Sequence, residues 1–225
     1  MSDGIRTVLR GVGQALITVG LVLLLFCVYE LYVTGIYTSR EQTRLGDQLA
    51  RQWQAPPPAT TAGLETPPLG GAFARLWIPR FGSSWSEVVV EGVGVEDLKK
   101  GPGHYPGTAL PGRLGNTVLS GHRTTYQAPF NRADALRPGD AVVLETRTQW
   151  VTYRVTGTQV VAPTAIGVTY PVPGKAGAKP TRSVLTMTTC HPKYSAKQRM
   201  VVSGLLDQTL DKGPGVRPPA LPAAG

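Results

Sequence analysis

SVLTMTTCHPKYSAKQRMVVSGLL, residues 183–206, contains two segments rich in β-branched residues on either side of a polar turn. This composition predicts two β-strands, one over 183–188 that leads to Cys190 and one over 199–206 after the turn. If these strands pair antiparallel, Cys190 and Arg199 lie together at the same end of the sheet. The segment therefore predicts a sheet end that carries a thiol beside a guanidinium.

The region around this hairpin, residues 72–210, has the composition of a turn-rich β protein. The chain has 27 Gly and 20 Pro, which favour turns. Further strands are predicted at 75–78, 87–91, 116–120, 141–146 and 150–155, the last continuing through 160–161, and short helices at 95–100 and 129–136. Seven or eight short strands indicate an all-β domain, built as a small closed barrel or a sandwich.

Near the start of the chain, residues 11–29 read GVGQALITVGLVLLLFCVY and contain no charged residue. Because roughly 20 apolar residues cross a bilayer as a helix, we predict a single transmembrane helix over 11–32, preceded by a tail over 1–10. The apolar segment ends in VYELY, residues 28–32, which lacks the small residues of a cleavage site. We therefore expect the helix to be retained and Cys27 to be an apolar membrane residue.

Two further segments have the composition of linkers. Residues 33–71 are predicted to form a stalk and Pro-rich linker, in which 39–53 has helix-forming residues and 55–63, APPPATTAG, favours a semi-rigid extended spacer. Residues 211–225 are rich in Pro, Ala and Gly, and we predict a disordered tail that does not pack.

Positive charge is concentrated in the β-rich part of the chain. Of a net charge of +9, residues 72–225 contribute all the excess, with eighteen Lys/Arg against nine Asp/Glu. Such a surface favours anionic partners such as lipid headgroups or cell-wall polymers. We expect no nucleic-acid partner, because aromatic and basic residues are not interleaved. The orientation of the predicted membrane helix stays open, since Arg6 and Arg10 precede it and Arg40 and Arg44 follow it.

Cys190 is the first candidate for chemistry. The chain has only two cysteines, and the other, Cys27, lies in the apolar helix. Positive groups favour the nucleophilic thiolate, and four follow within nine residues: His191, Lys193, Lys197 and Arg199. A guanidinium at Arg199 could donate hydrogen bonds to a tetrahedral intermediate. The alternatives are a buried, inert cysteine and a solvated arginine at a strand end.

A cysteine nucleophile needs a proton-transfer partner, and histidine is suited to this role near neutral pH. Side chains of adjacent residues in an extended backbone diverge, which argues against His191 beside Cys190. His104 lies in a Gly- and Pro-rich loop, residues 101–107, whose expected flexibility is unfavourable for a positioned acid. His122 ends an apolar strand, and we prefer it on these grounds.

These residues, taken together, match a known family. Ser120-Gly121-His122-Arg123, Thr186-Met187-Thr188-Thr189-Cys190 and then Arg199 resemble the three signatures of sortases in their usual order. Met187 takes the place of the usual leucine, a substitution that conserves volume. The continuation CHPKYS, residues 190–195, is similar to class E, found in high-GC Gram-positive bacteria.

The resemblance implies an eight-stranded sortase β-barrel over residues 72–210, with short helices, outside the cell membrane and with the 1–10 tail in the cytoplasm. Sortases cleave a C-terminal sorting signal between Thr and Gly, hold the acyl group on the cysteine, and transfer it to an amine of a peptidoglycan precursor. The implied partners are surface proteins with such a signal, the peptidoglycan amine and the lipid bilayer.

The resemblance also implies a role for each motif residue. Cys190 is the nucleophile, His122 the general acid and later base, and Arg199 the oxyanion and substrate contact. Further substrate contacts are expected from Thr189 and Arg123. Class E members are expected to prefer Leu-Ala-X-Thr-Gly over Leu-Pro-X-Thr-Gly through a loop tyrosine, for which Tyr105 is the best match and Tyr126 the alternative.

We expect no cofactor and no metal. The acyl transfer needs neither, and the carboxylates through which some relatives bind calcium have no counterpart in residues 155–182, which contain no Asp or Glu. Three other functions stay open: a membrane-tethered cysteine peptidase that only hydrolyses, a non-catalytic barrel that binds cell wall, and thiol redox work, which would lack a resolving cysteine.

Overall fold

The computed structural model describes residues 3–29, 34–54 and 67–221. Its main feature is a closed β-barrel in which neighbouring strands follow the order β1-β2-β3-β4-β7-β8-β6-β5. The strands are β1 Ala72–Trp77, β2 Ser86–Glu91, β3 Gly103–His104, β4 Gly115–Ser120, β5 Ala141–Glu145, β6 Gln149–Val161, β7 Ser183–His191 and β8 Gln198–Asp211. The predicted all-β, eight-stranded barrel is confirmed.

The barrel interior is filled by the apolar residues that alternate along the strands. They include Leu76, Val89, Leu119, Val151, Met187 and Val202. Burying one such side chain contributes about 1.5–3 kcal/mol. Met187 is buried in this core, so the methionine fills the interior position that the resemblance assigned to leucine.

Two parallel pairs interrupt the otherwise antiparallel barrel. β2 pairs with β3, and β4 pairs with β7. The short helix α3, Val95–Leu98, lies in the connection between β2 and β3, since parallel neighbours need a crossover. The two-residue strand β3 was not predicted, because a segment this short has no alternation of apolar and polar residues to detect.

An apolar helix, α1, spans Asp3–Val28 and has no buried residue along its described length. It is long and apolar enough to cross a membrane, and it is therefore a candidate membrane anchor. Residues 30–32 of the predicted 11–32 span lie outside the described residues. At its other end the helix begins eight residues before the predicted start, so Arg6 and Arg10 are part of it.

The segment predicted as a stalk contains a helix that packs against the barrel. α2 spans Thr34–Gln54, and its buried Leu45 and Leu49 contact Val88 and Val90 of β2. The side chain of Gln42 accepts a hydrogen bond from the Val88 amide at 2.7 Å and donates one to the Val88 carbonyl at 3.0 Å. Residues 34–54 are thus part of the folded domain, whereas the Pro-rich spacer predicted over 55–63 lies outside the described residues.

The tail also differs from its expectation. β8 continues to Asp211, and Leu221 is buried against Val143 and Trp150. The guanidinium of Arg217 lies over the ring of Trp77, 5.2 Å from its centroid. The expected disorder over 211–225 is therefore corrected for residues 211–221, because the outward-facing rings of Trp77 and Trp150 give this segment an apolar surface to cover. Residues 222–225 lie outside the described residues.

Candidate active site

The parallel pairing of β4 with β7 brings two motif residues to one end of the barrel. Ser120 lies opposite Thr188, and their hydroxyl oxygens are 2.7 Å apart. His122 and Cys190 each follow two residues after this pair. Because carboxyl ends of parallel strands share one edge, the imidazole and the thiol lie at the same end.

Close packing holds this edge in place. A side chain at Gly121 would have its Cβ 2.8 Å from the Phe130 ring, so only glycine permits this approach of β4 to the core. Thr189 is buried, and its hydroxyl donates to the Gly121 carbonyl at 2.8 Å. These contacts join the residue before His122 to the residue before Cys190.

Arg199 lies directly opposite Cys190 in the antiparallel pair of β7 and β8, so the predicted pairing is confirmed. Its Nη1 donates to the carbonyl of Ala196, in the turn between the two strands, at 2.9 Å and to that of Gln198, at the start of β8, at 3.0 Å. Among the ion pairs of the described residues, none includes Arg199. Backbone carbonyls thus hold the guanidinium through Nη1, and no carboxylate among the described residues neutralises its charge.

His122 is half-buried and loosely held. Its Nδ1 is 3.4 Å from the Thr125 hydroxyl, and the ring of Tyr126 lies against it with centroids 4.9 Å apart. Burial lowers the pKa of His122 below its usual value, because desolvation disfavours the charged imidazolium. The imidazole is therefore neutral near pH 7 and can accept a proton.

Cys190, His122 and Arg199 all line one open cavity of about 350 Å³. Tyr105 and Thr189 are also among its lining residues, so five of the seven predicted site residues meet here. The Tyr105 side chain is 40% exposed on the wall. The volume is within the range of small-molecule and peptide sites.

Arg123 does not line this cavity, which corrects its predicted role as a substrate contact. It is 3% exposed and forms an ion pair with Asp134 at 3.3 Å. Its guanidinium donates to the carbonyls of Asn131 and Cys190, at 3.2 and 3.3 Å. The Arg123 guanidinium therefore links the loop after His122 to the end of β7.

Tyr126 is outside the set of described residues that line the cavity, and its role as a substrate contact stays a prediction. Besides its contact with His122, it faces a separate hollow of about 520 Å³. Gly35, Ile36 and Ser39 of α2 form part of the lining of this hollow. Tyr126 therefore lies between the imidazole and the first turns of α2.

One wall of the cavity was missed by the sequence reasoning. It comes from the last residue of β6 and the loop between β6 and β7, through Val161, Ala162, Pro163, Ala165, Ile166, Val168 and Thr169. The buried Asn116 holds this loop by donating to the carbonyls of Val168 and Tyr170, at 2.9 and 3.0 Å. An asparagine inside an apolar strand was the available signal, because a buried amide needs partners.

The arrangement defines a class of enzyme: a closed barrel with a thiol, an imidazole and an unneutralised guanidinium at the mouth of a peptide-sized cavity is suited to acyl transfer through a cysteine. The chain belongs to the sortase family, since the family model described as a sortase domain matches residues 76–207.

Similar proteins place the chain in class E. Sortase E from Streptomyces avermitilis is 43% identical, with a TM-score of 0.63 over 69% of this chain and 100% of that one. Sortase SrtE1 of Streptomyces coelicolor is 33% identical over 94% of this chain. This chain spans 60% of the length of that relative. Sortase SrtE2 of the same organism is 30% identical over 92% of this chain and 85% of the relative.

Proposed function

We propose that the protein is a membrane-anchored sortase that cleaves a C-terminal sorting signal between Thr and Gly and transfers the new carboxyl end to a peptidoglycan amine. The signal is of the Leu-Ala-X-Thr-Gly or Leu-Pro-X-Thr-Gly type. The observation that carries the proposal is the joint position of Cys190, His122 and Arg199 on one cavity at the barrel edge. In support, sortase E1 from Streptomyces coelicolor, 34% identical, has been solved with a tripeptide in the active site.

In the first half of the reaction, the Cys190 thiol gives its proton to the neutral imidazole of His122, and the sulfur attacks the Thr carbonyl carbon. The carbonyl oxygen takes the negative charge, and the guanidinium of Arg199 donates hydrogen bonds to it. When the intermediate collapses, the C–N bond breaks and His122 gives its proton to the leaving Gly amine. A thioester on Cys190 remains.

In the second half, the acceptor amine attacks the thioester carbonyl while His122 takes a proton from the amine. The C–S bond breaks, Cys190 leaves as thiolate and regains a proton from His122. Transfer exceeds hydrolysis when water is excluded from the thioester. The buried Thr189 and the segment from Val161 to Thr169 line the cavity beside Cys190, and we expect a bound signal peptide to close the remaining opening to water.

On the membrane side, we propose that α1 crosses the bilayer once and that the barrel lies outside the cell. The support is the apolar surface of this helix, which no other described residue covers. Transfer of such a surface from water into lipid is favourable by about 0.8 kcal/mol for each buried CH₂.

The test is a cleavage assay with the full chain in detergent. Peptides with Leu-Ala-X-Thr-Gly and Leu-Pro-X-Thr-Gly are incubated with and without a glycine or diaminopimelate-type amine, and the products and the thioacyl adduct on Cys190 are followed by mass spectrometry. We expect the adduct, and a joined product that increases with the amine. Cys190→Ala should abolish both, whereas Cys27→Ala, a change in the apolar helix, should do little.

Two results would contradict the proposal. A product ratio that ignores the added amine would indicate a cysteine peptidase that only hydrolyses. If the protein keeps its biological function after Cys190→Ala, it would be a non-catalytic barrel that binds cell wall.

A further inference from the structure

A buried pair of ionisable groups, Glu91 and His104, lies beneath the loop that carries Tyr105 and has no part in the proposed chemistry. Glu91 ends β2, His104 ends β3, and the two residues are directly paired in the parallel ladder. The Nδ1 of His104 is 2.6 Å from Oε2 of Glu91, and the side chains are 1% and 2% exposed. The ring of Phe73 packs edge-on against the imidazole at 5.5 Å. A buried pair of this kind is costly unless all its hydrogen bonds are made.

The other ring nitrogen of His104 is also used. Nε2 is 3.0 Å from the Thr108 hydroxyl oxygen and 3.2 Å from the Ala109 carbonyl. The Thr108 hydroxyl donates its single proton to the Tyr105 carbonyl at 2.6 Å. Nε2 therefore carries a proton and donates to these two oxygens, while Nδ1 shares a proton with Glu91.

The backbone of Tyr105 is held from both sides by the same group of contacts. Its amide donates to the Val118 carbonyl at 2.9 Å, and its carbonyl accepts from both the amide and the hydroxyl of Thr108, at 3.1 and 2.6 Å. The sequence Tyr105-Pro106-Gly107-Thr108 has Pro in the second position and Gly107 at φ +79° in the third. This is the pattern of a type II turn, which requires a positive φ in the third position.

We propose that Glu91, His104 and Thr108 form a positioning device that sets the place of Tyr105 on the cavity wall and, through Tyr105, selects the second residue of the sorting signal. The inference rests on the proposed function. The chain of contacts is continuous, from the Glu91 carboxylate to the His104 ring, to the Thr108 hydroxyl, to the Tyr105 carbonyl. A rigid turn holds the Tyr105 side chain in one place, whereas a flexible loop would let it move. The position of a pocket side chain matters for selectivity, because a difference of one methylene between two substrates is worth about 10–200-fold.

The first test compares Thr108→Val with Thr108→Ser in the full chain in detergent. Valine has the shape of threonine without the hydroxyl, while serine keeps the hydroxyl. The measured quantity is the ratio of kcat/KM for the Leu-Ala-X-Thr-Gly peptide to that for the Leu-Pro-X-Thr-Gly peptide. We expect Thr108→Val to move this ratio toward 1 by at least about fivefold, with most of the change in KM, and Thr108→Ser to restore it.

A second variant removes the buried pair without leaving a partner behind. Glu91→Met combined with His104→Phe replaces both polar groups by apolar ones of similar size, a change that cores tolerate better than the loss of one partner. We expect the ratio of kcat/KM for the two peptides to move toward 1, as in Thr108→Val. Glu96→Gln, on the exposed α3, is the matched control and should leave the ratio unchanged.

The last step asks whether the device acts through Tyr105. In a Tyr105→Ala background, Thr108→Val should cause no further change in the ratio. The inference is overturned if Thr108→Val lowers thermal stability but keeps the wild-type ratio, or if its effect persists without Tyr105. A wild-type chain that cleaves neither peptide and forms no adduct on Cys190 overturns the proposed function itself, and this inference with it.

Discussion

Two histidines, one at the end of β3 and one just after the end of β4, are held in opposite ways. His104 is fully buried, with one nitrogen 2.6 Å from a carboxylate and the other facing two oxygens. His122 is half-buried, and the one hydrogen-bond contact that its imidazole makes among the described residues, with the Thr125 hydroxyl, is long at 3.4 Å. The difference indicates what each is suited to do. A histidine whose nitrogens are both occupied fixes structure, whereas one with a free nitrogen at a cavity can move protons.

The loops that follow the two histidines also differ, in the strain of their backbones. Between His104 and β4, the two residues with a left-handed backbone are Gly107 and Gly112, and both are glycines, for which this conformation carries no strain. After His122, three consecutive residues that are not glycine, Tyr126, Gln127 and Ala128, have φ of 52°, 58° and 47°. Each costs roughly 1–2 kcal/mol relative to an ordinary backbone. Strain of this kind is concentrated at functional sites.

The largest effect that separates the two sites is expected from His122→Ala. Removal of the proton-transfer group should lower kcat/KM for signal cleavage by about 10²–10⁴-fold. Because the imidazole makes little hydrogen-bonded contact, the melting temperature should change little. Steady-state peptide cleavage and thermal unfolding of the same preparation measure both. Near-wild-type turnover in His122→Ala would remove the basis of the comparison.

The choice between these histidines shows how far the sequence alone could go. An apolar strand ending in Gly121-His122 was sufficient to predict a positioned imidazole at a sheet edge. The reason used against His104, loop flexibility, was wrong, since the loop is held by Glu91 and Thr108. The contact with Glu91 was not predictable, because it depends on the parallel pairing of β3, a strand of two residues.

In the rest of the molecule, too, local features could be predicted from the sequence and contacts between distant segments could not. The long strands were predictable from local composition, as was the pairing of Cys190 with Arg199. The motif neighbour Arg123 was assigned to substrate because a sequence does not reveal burial, and here its charge is used between the loop and β7. The packing of α2 and of Leu221 depends on barrel surfaces distant in sequence, which composition does not describe.

The second prediction concerns stability at the His104 site. Glu91→Leu leaves a buried imidazole nitrogen without its partner, and the free energy of unfolding should fall by about 1–3 kcal/mol. Thr125→Val removes only the long contact to His122, and its cost should be below about 0.5 kcal/mol. Urea unfolding followed by tryptophan fluorescence compares the two. Equal losses would mean that the two histidines are held alike.

The third prediction concerns the protonation of His122. Tyr126→Ala removes the ring that lies against the imidazole, so water reaches it and the charged form is less disfavoured. The pKa of His122 should therefore rise toward its usual value. An NMR titration of the imidazole in a Cys190→Ala background measures this directly. In the active chain, the acid limb of the kcat/KM profile should move to higher pH, and an unchanged or lower pKa would show that Tyr126 does not cause the desolvation.

The smallest effects are expected from exchanging glycine between the two loops. Gly107→Ala places a side chain at φ +79°, where there is space for the Cβ but the backbone is strained, so the free energy of unfolding should fall by about 1 kcal/mol. Ala128→Gly relieves strain at φ 47° but adds freedom to the unfolded chain, so stability should rise by less than about 1 kcal/mol. If the strain after His122 serves to hold the imidazole, Ala128→Gly should gain stability while it loses kcat/KM. A variant that gains stability at unchanged kcat/KM would mean that the strained loop is incidental to the position of His122.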